Sequence, residues 1–310
     1  MLFSFQRIAC MEPVPSRFIV FAAALAILSW SSAYPIVRIA LPEIAAIPLA
    51  AARYGLAATL ALGWLLYHRP PFPARRDWLR FVLCGAIGIT IYNILFNTGE
   101  QTVSAGAASL IISAAPLLAT LIAVFLMGEQ LSAWGWIGSL TSFSGVAMIV
   151  LGMRDGLSFG SGAVLVIGCA ISGAIYTTAQ KALVRRYGAL TTTAYVLIVG
   201  ALLLSPWWPQ AVDGLARASW HTRAAVIELG IFPAALGYAA WAYVIGIRGA
   251  ARTATLLYLL PPTTIVLAFF LTGEIPTVNT LAGGAVVMTG VFITNRFGKK
   301  TFSPVKASCS

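Results

Sequence analysis

The chain has 310 residues, of which 59% are hydrophobic and only 9% are charged. Because ordinary globular proteins carry roughly a quarter charged residues, this composition excludes a water-soluble domain. The formal net charge of +11 fits nucleic-acid binding as well as basic cytoplasmic loops, but basic and aromatic residues do not alternate in any polar segment. We therefore expect no nucleic-acid partner and a positive charge concentrated in cytoplasmic loops.

Ten apolar segments follow one another along the chain, each about 20 residues long, which is enough for a helix to cross a bilayer core of about 30 Å. They cover residues 18–38, 44–67, 79–99, 103–127, 132–152, 159–181, 189–206, 223–246, 250–272 and 277–295. The connections are mostly short and rich in glycine, proline or charged residues, as helix ends require. The sequence therefore predicts an all-α membrane protein with ten transmembrane helices in a lipid bilayer.

Part of the fourth and fifth spans recurs 145 residues later, in the ninth and tenth. The matched pairs are Ala105 and Ala250, Pro116 and Pro261, Gly128 and Gly273, Glu129 and Glu274, Gly138 and Gly283, and Gly145 and Gly290. Such a repeat indicates an internal duplication. Because each half holds five spans, the second half begins on the opposite side of the membrane. We therefore predict two inverted five-helix repeats around a central cavity, related by a two-fold axis in the membrane plane.

The predicted divisions are an N-terminal segment 1–17, a first repeat 18–152, a second repeat 153–295 and a basic tail 296–310. The charge of the loops indicates how the chain is oriented in the membrane. If both termini are cytoplasmic, fifteen of the twenty Lys and Arg lie on the cytoplasmic side. The other side keeps Arg38, Arg154, Arg217 and Arg223. Only Arg53 lies deep within a span. The positive-inside rule therefore predicts that both termini are cytoplasmic.

Polar and aromatic side chains recur at helical spacing in spans one, three and four and in their repeat counterparts six, eight and nine. The predicted substrate-binding residues are Trp30, Tyr34, Tyr92, Asn93, Asn97, Ser109, Ser113, Tyr176, Gln180, Tyr238, Trp241 and Tyr258. Polar groups are costly in hydrocarbon unless they face a partner or a wet cavity, so we expect these side chains to line one space near the midplane. The structural alternative is that the hydroxyls bond their own backbone and that the aromatic rings anchor the interface.

Two prolines and two glutamates occupy equivalent positions in the halves. Pro116 and Pro261 each remove a backbone donor and clash with the carbonyl four residues earlier, so we predict helix bends or hinges there. Glu129 and Glu274 each follow a helix-ending glycine. The positive end of the following helix dipole favours a carboxylate at such a place, and we expect a structural role for both.

Two further charged residues fall inside spans, namely Arg53 in the second and Glu228 about two turns into the eighth. Arg53 either pairs with a carbonyl or carboxylate in a structural role, which we favour, or contacts the substrate. Glu228 is the carboxylate through which a proton relay is conceivable. The alternative is a carrier that moves substrate down its gradient, and the sequence leaves both kinds of energy coupling open.

Other classes of protein fit the sequence less well. A channel needs a continuous polar lining or filter, and the spans show none. An enzyme would depend on His68 and His221, both in loops, or on nine scattered carboxylates, and no triad or metal spacing occurs. A phosphate-binding Gly-Lys-Ser/Thr loop is also missing from the sequence. We therefore predict a non-enzymatic carrier of a small-molecule substrate, without cofactor or metal, and a monomer is compatible with the sequence.

Several short motifs carry a family resemblance. They are Trp30-Ser31-Ser32, Arg53, Ser104-Ala105-Gly106 with Pro116 and Gly128-Glu129, Gly237-Tyr238-Ala239-Ala240-Trp241, and Gly249-Ala250-Ala251 with Pro261 and Gly273-Glu274. With these motifs the chain resembles, from about residue 18 to 295, the drug/metabolite transporter superfamily. It is most similar to the EamA-type ten-helix exporters, and within them to the bacterial exporters of aromatic and other amino acids. One departure is Gly173, where many members carry a tryptophan.

The resemblance implies a basket-like fold in the bacterial inner membrane with a central substrate cavity. It also implies export of amino acids, aromatic and other, and of similar small metabolites by alternating access. Because the motifs are mostly packing motifs, they do not specify the substrate. An exporter of drugs or other metabolites from the same superfamily is one alternative, and a membrane channel is the alternative from a different class.

Overall fold

The computed structural model describes residues 16–115, 117–118, 132–151, 161–248 and 255–297. Over these residues the chain is helical, and they include no β-strand. The α-helices are α1 Ser16–Ala40, α2 Ala46–His68, α3 Trp78–Gly85, α4 Tyr92–Gly99, α5 Ala105–Ile112, α6 Ala133–Leu151, α7 Ser161–Ala179, α8 Lys181–Tyr187, α9 Ala189–Leu203, α10 Trp208–Arg217, α11 Trp220–Leu229, α12 Tyr238–Arg248, α13 Leu260–Thr272 and α14 Val278–Phe297. The predicted all-α class is confirmed.

Five of the described helices are long and apolar enough to cross a membrane. They are Arg17–Ala40, Ala46–His68, Arg75–Gly99, Gly162–Tyr187 and Trp220–Trp241. A sixth is added if Ala189–Leu203 and Ser205–Arg217, which meet at a bend of 52°, form one span. The chain is therefore an all-helical membrane protein. The predicted count of ten spans stays a prediction, because parts of the fourth and ninth predicted spans lie outside the described residues.

Several helix ends follow from the local sequence. Ser104 and Ser219 cap α5 and α11, because each hydroxyl accepts a hydrogen bond from the backbone N–H three residues later. Helix α13 ends at Gly273, whose φ of +67° is a left-handed conformation that glycine adopts without strain. Thr277 then caps α14 through the backbone N–H of Thr280. The second Gly-Glu pair of the repeat thus marks a helix end, as its sequence predicts.

Helices α6 and α14 pack with their backbones in contact. A Cβ atom added at Gly138 would lie 2.7 Å from the carbonyl oxygen of Gly290, and one added at Gly145 would lie 2.6 Å from the carbonyl oxygen of Gly283. Any larger residue at these places would push the two helices apart. The glycines that the repeat places in spans five and ten therefore serve close helix packing.

Most contacts between two helices have an equivalent contact between their counterparts in the other half of the chain. Helix α1 packs on α13, and its repeat counterpart α7 packs on α5, the counterpart of α13. Helix α1 also packs on α11 and α12, as α7 packs on α4. Helices α2 and α9 are counterparts that pack on each other, and so are α6 and α14. The packing therefore follows the duplication seen in the sequence.

Each half contains a π-helical turn at an equivalent place. Ala86–Ile91 joins α3 to α4, and Gly230–Gly237 joins α11 to α12. The repeat spacing of 145 residues carries the first turn onto the second, and no local sequence pattern predicts either turn. A π turn leaves backbone carbonyls without their usual helical partners and often marks a functional site. Both turns lie next to the polar residues described below.

Polar contacts tie the halves together near opposite ends of α2. Asp77 accepts a hydrogen bond from the Tyr187 hydroxyl and pairs with Arg186 at 2.8 Å. Ser219 donates to Glu43 from both its backbone N–H and its hydroxyl. These donors hold the pKa of the Glu43 carboxyl below its usual value, because they stabilise the ionised form.

Candidate functional site

Arg53, on α2, is a buried cation that is only 5% exposed. Its Nη1 donates to the side-chain oxygen of Asn93 over 3.4 Å. Asn93 is fully buried on α4, and its amide nitrogen donates to the carbonyl of Ile89 at 2.8 Å, inside the first π-helical turn. Both the oxygen and the nitrogen of the Asn93 side-chain amide are therefore hydrogen-bonded to protein groups, and Asn93 orients the guanidinium of Arg53. The Nε of Arg53 has no hydrogen-bond partner among the described residues.

Glu228, on α11, approaches Arg53 from the second half of the chain. One carboxylate oxygen accepts a 2.7 Å hydrogen bond from the Ser32 hydroxyl on α1. The other oxygen is buried and finds no partner in the described part of the chain. Glu228 and Arg53 interact electrostatically, but no ion pair within 4.0 Å joins them. We refer to Ser32, Arg53, Asn93 and Glu228 as the central polar cluster.

Five tyrosines lie around this cluster, namely Tyr34, Tyr54, Tyr92, Tyr176 and Tyr238. The guanidinium carbon of Arg53 lies 5.1 Å from the ring centroid of Tyr54. The rings of Tyr34 and Tyr92 each pack on the ring of Phe96, and Tyr54, Tyr176 and Tyr238 share one apolar cluster. These tyrosines come from α1, α2, α4, α7 and α12, so both halves of the chain contribute to one group of tyrosine side chains.

Three aromatic rings extend the site between α1 and α12. The ring of Trp30 lies 5.5 Å from that of Tyr238 and 5.1 Å from that of Trp241, centroid to centroid. The indole N–H of Trp30 donates to the carbonyl of Pro233 at 3.1 Å, in the second π-helical turn. This bond fixes the position of the indole ring. Such rings can pack against an apolar group or attract an amine through a cation–π contact.

Two glycines on neighbouring helices make room for two of the tyrosine rings. A Cβ atom at Gly173 would lie 3.3 Å from the ring of Tyr92. Gly88, in the first π-helical turn, is covered by the ring of Tyr176. Tyr92 thus occupies the space over Gly173, the position at which the resemblance implies a tryptophan. A tryptophan there would require the ring of Tyr92 to move.

Other predicted site residues make different contacts. Asn97 is buried and donates to the carbonyl of Ala46, so it ties α4 to the start of α2. The hydroxyls of Ser109 and Ser113 each bond a carbonyl three or four residues earlier in their own segment, which is the structural alternative stated for such residues. Gln180 stands at the junction of α7 and α8.

Tyr258 lines a separate apolar groove of about 240 Å³ together with Pro261 and Leu281. Pro261 stands in the first turn of α13, directly after the 3₁₀ turn Thr255–Leu259. A proline in that position loses no hydrogen bond, so the clash expected of a proline in a helix interior does not arise in this α-helix. The hinge role of Pro261 stays a prediction, and Pro116 lies outside the described residues.

A second polar site joins α13 to α5. The two carboxylate oxygens of Glu274 accept hydrogen bonds from the backbone N–H groups of Ala105 and Gly106, at 3.1 and 3.2 Å, and Arg38 lies 3.7 Å away. Glu274 thus has the structural role expected of it at the positive end of a helix, but that helix is α5 and not the one that follows Glu274 in the chain. Helix α14 is capped by Thr277, while the left-handed turn before Glu274 lets it reach the start of α5 in the other half.

Sequence reasoning missed part of the site. Ser32 entered only as part of a motif, and Tyr54 and Glu100 were not singled out at all. Glu100 is 1% exposed, and neither of its carboxylate oxygens has a hydrogen-bond partner among the described residues. It interacts electrostatically with Arg38 and Arg53. Glu100 follows directly after an apolar span, where a carboxylate normally faces water, so its burial was not expected from the sequence.

Polar and charged groups buried among membrane helices mark the path of a polar solute. The fold and this site therefore define a membrane transporter. A model of the EamA-like transporter family matches residues 17–151 and again residues 160–296. The chain belongs to the EamA-like transporter family, and it is a transporter of small molecules in a lipid bilayer rather than an enzyme.

Curated relatives match almost the whole chain. A probable terminal-alkyne amino-acid exporter of Streptantibioticus cattleyicolor is 34% identical, over 89% of this chain and 93% of the relative. The uncharacterized transporter YdfC of Bacillus subtilis is 30% identical, over 89% and 90%. The uncharacterized inner membrane transporter YedA of Escherichia coli is 26% identical, over 88% and 89%. One crystal structure with 19% identity has a TM-score of 0.62 and covers 92% of this chain and 98% of its own, which shows a shared fold.

Proposed function

We propose that this protein exports amino acids, aromatic and other, and similar small metabolites across the bacterial inner membrane by alternating access. The observation that carries this proposal is the central polar cluster with its tyrosines, which helices of both halves build together. Its charged groups suit the ammonium and carboxylate of a small solute, and the rings of Trp30 and Trp241 suit a side chain. The amino-acid exporter named among the relatives supports this substrate class.

We further infer ten transmembrane helices, arranged as two inverted five-helix repeats at residues 18–152 and 153–295, with both termini in the cytoplasm. The paired helix contacts, the two equivalent π-helical turns and the two successive family matches support the repeat. The excess of Lys and Arg on one side supports the orientation. The inner membrane location named for YedA supports the compartment.

Alternating access follows physically from such a repeat. Two near-equivalent halves can adopt two packings that differ by exchange of their conformations, and each packing opens the site to one side. The mirrored contacts of α1 with α13 and of α7 with α5 are the places where one half can rock against the other. In this account the residues that contact substrate are Trp30, Tyr34, Tyr92, Tyr176, Tyr238 and Trp241, while Asn93 positions Arg53.

An exporter of apolar drugs from the same superfamily remains the second candidate. It is favoured by the apolar groove at Tyr258 and Pro261. Against it stand the buried charges of Arg53 and Glu228, because an apolar ligand would leave both without a charged partner, at a cost of several kcal/mol. A channel is less suitable than a carrier, because a channel needs a continuous polar lining, whereas the polar groups of the described residues are gathered in separate buried sites.

Transport into proteoliposomes tests this proposal. The full chain is reconstituted, and the uptake of a panel of labelled amino acids is measured with and without an imposed pH gradient. We expect saturable uptake of at least one amino acid, inhibited by excess unlabelled substrate. Acceleration by the pH gradient indicates proton coupling, and equal rates indicate movement down the substrate gradient.

A Trp241→Ala variant reconstituted at the same density serves as the control for the site. Its uptake should fall, whereas an exposed variant, Trp134→Ala, should match the wild type. If no amino acid in the panel is taken up while an apolar cationic dye is, the drug-exporter alternative replaces this proposal. Conduction that does not saturate with substrate would instead identify a channel.

A further inference from the structure

Arg53 and Glu228 are opposite charges within electrostatic range of each other among the helices, and no direct ion pair joins them. Each is held by a neutral neighbour, Arg53 by Asn93 and Glu228 by Ser32. Each also keeps one buried polar atom without a partner among the described residues, the Nε of Arg53 and the Oε2 of Glu228. The two unsatisfied atoms are a donor on the cation and an acceptor on the anion.

This arrangement is costly for a purely structural pair. A buried charge is tolerated when it is paired and fully hydrogen-bonded, and a direct contact between Arg53 and Glu228 would satisfy both residues at once. Asn93 and Ser32 instead hold the two groups in fixed orientations while leaving one position on each open. Such a separated pair is suited to a ligand that carries both charges itself.

We propose that Arg53 and Glu228 recognise the two charged ends of a zwitterionic α-amino acid, with the guanidinium binding its carboxylate and the Glu228 carboxylate binding its ammonium. This assignment rests on the proposed function and specifies the site within it. An arginine fork matches a carboxylate geometrically, and a carboxylate accepts the hydrogen bonds of an ammonium. In this assignment the rings of Trp30 and Tyr238, whose centroids lie 5.5 Å apart, are the groups suited to contact its side chain.

Glu100 is the other carboxylate that interacts with Arg53, and it also interacts with Arg38 and Glu274. It is less suited to the ammonium, because Arg38 lies next to it and bonds its backbone carbonyl at 3.0 Å. An arriving ammonium would meet that cation. Glu100 is therefore the matched comparison for Glu228, since it is the same residue type, is also buried and is also in range of Arg53.

The experiment measures selectivity in addition to rate. Wild type and variants are reconstituted, and the uptake of labelled L-phenylalanine, or of another amino acid that the wild type transports better, is inhibited by three unlabelled compounds. These are the amino acid itself, its amine without the carboxylate (2-phenylethylamine) and its acid without the ammonium (3-phenylpropionate). The wild type should prefer the amino acid to both analogues by at least tenfold.

Each variant should lose one preference and keep the other. Glu228→Gln should reduce the preference for the amino acid over 3-phenylpropionate by tenfold or more, because the ammonium no longer gains a charged partner. Arg53→Gln should reduce the preference over 2-phenylethylamine by a similar factor. Glu228→Asp and Arg53→Lys keep the charges and should keep the order of preference. Asp213→Asn and Arg217→Gln, both exposed on α10, should match the wild type.

Several outcomes overturn the assignment. If Glu228→Gln and Arg53→Gln weaken inhibition by all three compounds equally, or change neither ratio, the pair is structural. If Glu100→Gln shifts the amino-acid to acid ratio and Glu228→Gln does not, the ammonium site is Glu100. If a glutamine variant fails to reconstitute, Glu228→Asp and Arg53→Lys provide the test. A changed order of preference among the three compounds in either of these variants contradicts the proposal. If the wild type takes up amino acids, any of these outcomes contradicts only the assignment of Arg53 and Glu228. If the wild type takes up none, the proposed function itself is wrong.

Discussion

The carboxylate of Glu274, directly after α13, accepts a hydrogen bond from the backbone N–H of Ala105 at the start of α5, 169 residues earlier in the chain. The adjacent N–H of Gly106 bonds the second carboxylate oxygen. Two otherwise unpaired donors at a helix N-terminus thus receive a full negative charge, which is the arrangement that the helix dipole favours. The contact links the end of one half of the chain to the middle of the other.

Replacing Glu274 by glutamine removes this charge at nearly constant volume. Hydrogen bonds to a charged group contribute roughly 1.5–3 kcal/mol, so we expect the free energy of unfolding in an SDS titration to fall by about that range. Asp213→Asn, an exposed change of the same type, should have no measurable effect. Equal unfolding of Glu274→Gln and wild type would show that the contact contributes nothing to stability.

The glycine seam between α6 and α14 gives a second prediction. A Cβ atom at Gly138 would press on the backbone of α14, and overpacking of this kind costs typically 1–3 kcal/mol. Gly138→Ala should therefore lower the unfolding temperature in detergent. Gly63→Ala is the matched control, because nothing lies within 4 Å of the added atom and alanine is the better helix former. A Gly138→Ala variant as stable as Gly63→Ala would contradict the close contact.

The inferred orientation is tested by cysteine labelling in a variant whose four native cysteines are replaced. A cysteine at Val212, which is exposed on α10 next to Ala211, should react with a membrane-impermeant thiol reagent added to whole cells. A cysteine at the exposed Arg75 should react only after the membrane is opened, because it belongs to the basic side. The reverse labelling pattern is incompatible with cytoplasmic termini.

The aromatic part of the site predicts a loss of substrate affinity in Trp241→Ala. Removing this ring should cost about 1–3 kcal/mol of substrate binding, from lost aromatic contact and burial. Asn93→Ala should cost about as much, because Arg53 loses the group that orients it. Both are measured as the apparent affinity for transport at matched membrane abundance, with Trp134→Ala, 57% exposed, as control. Wild-type affinity in both variants would show that the site lies elsewhere.

The hydrophobic spans, the duplication and the helix-packing glycines were all readable from the sequence. Each depends on local composition or on a fixed spacing, such as the 145 residues between Gly138 and Gly283. Local patterns also predicted that Trp30, Tyr238 and Trp241 share one space, because aromatic residues at helical spacing in paired spans indicate a shared face, and the three rings do meet. The pattern in one helix does not show which other helix packs against it.

Only the tertiary structure decided which polar groups face each other. Ser32 and Glu228 are 196 residues apart and meet because α11 packs on α1, and Glu274 reaches α5 instead of the helix that follows it. Tyr54 and Glu100 are buried by other helices, which their neighbours in sequence do not reveal. In a bilayer almost every helix face is apolar, so the pairing of helices depends on close packing and a few buried polar bonds. Those bonds are long-range, and the sequence alone does not place them.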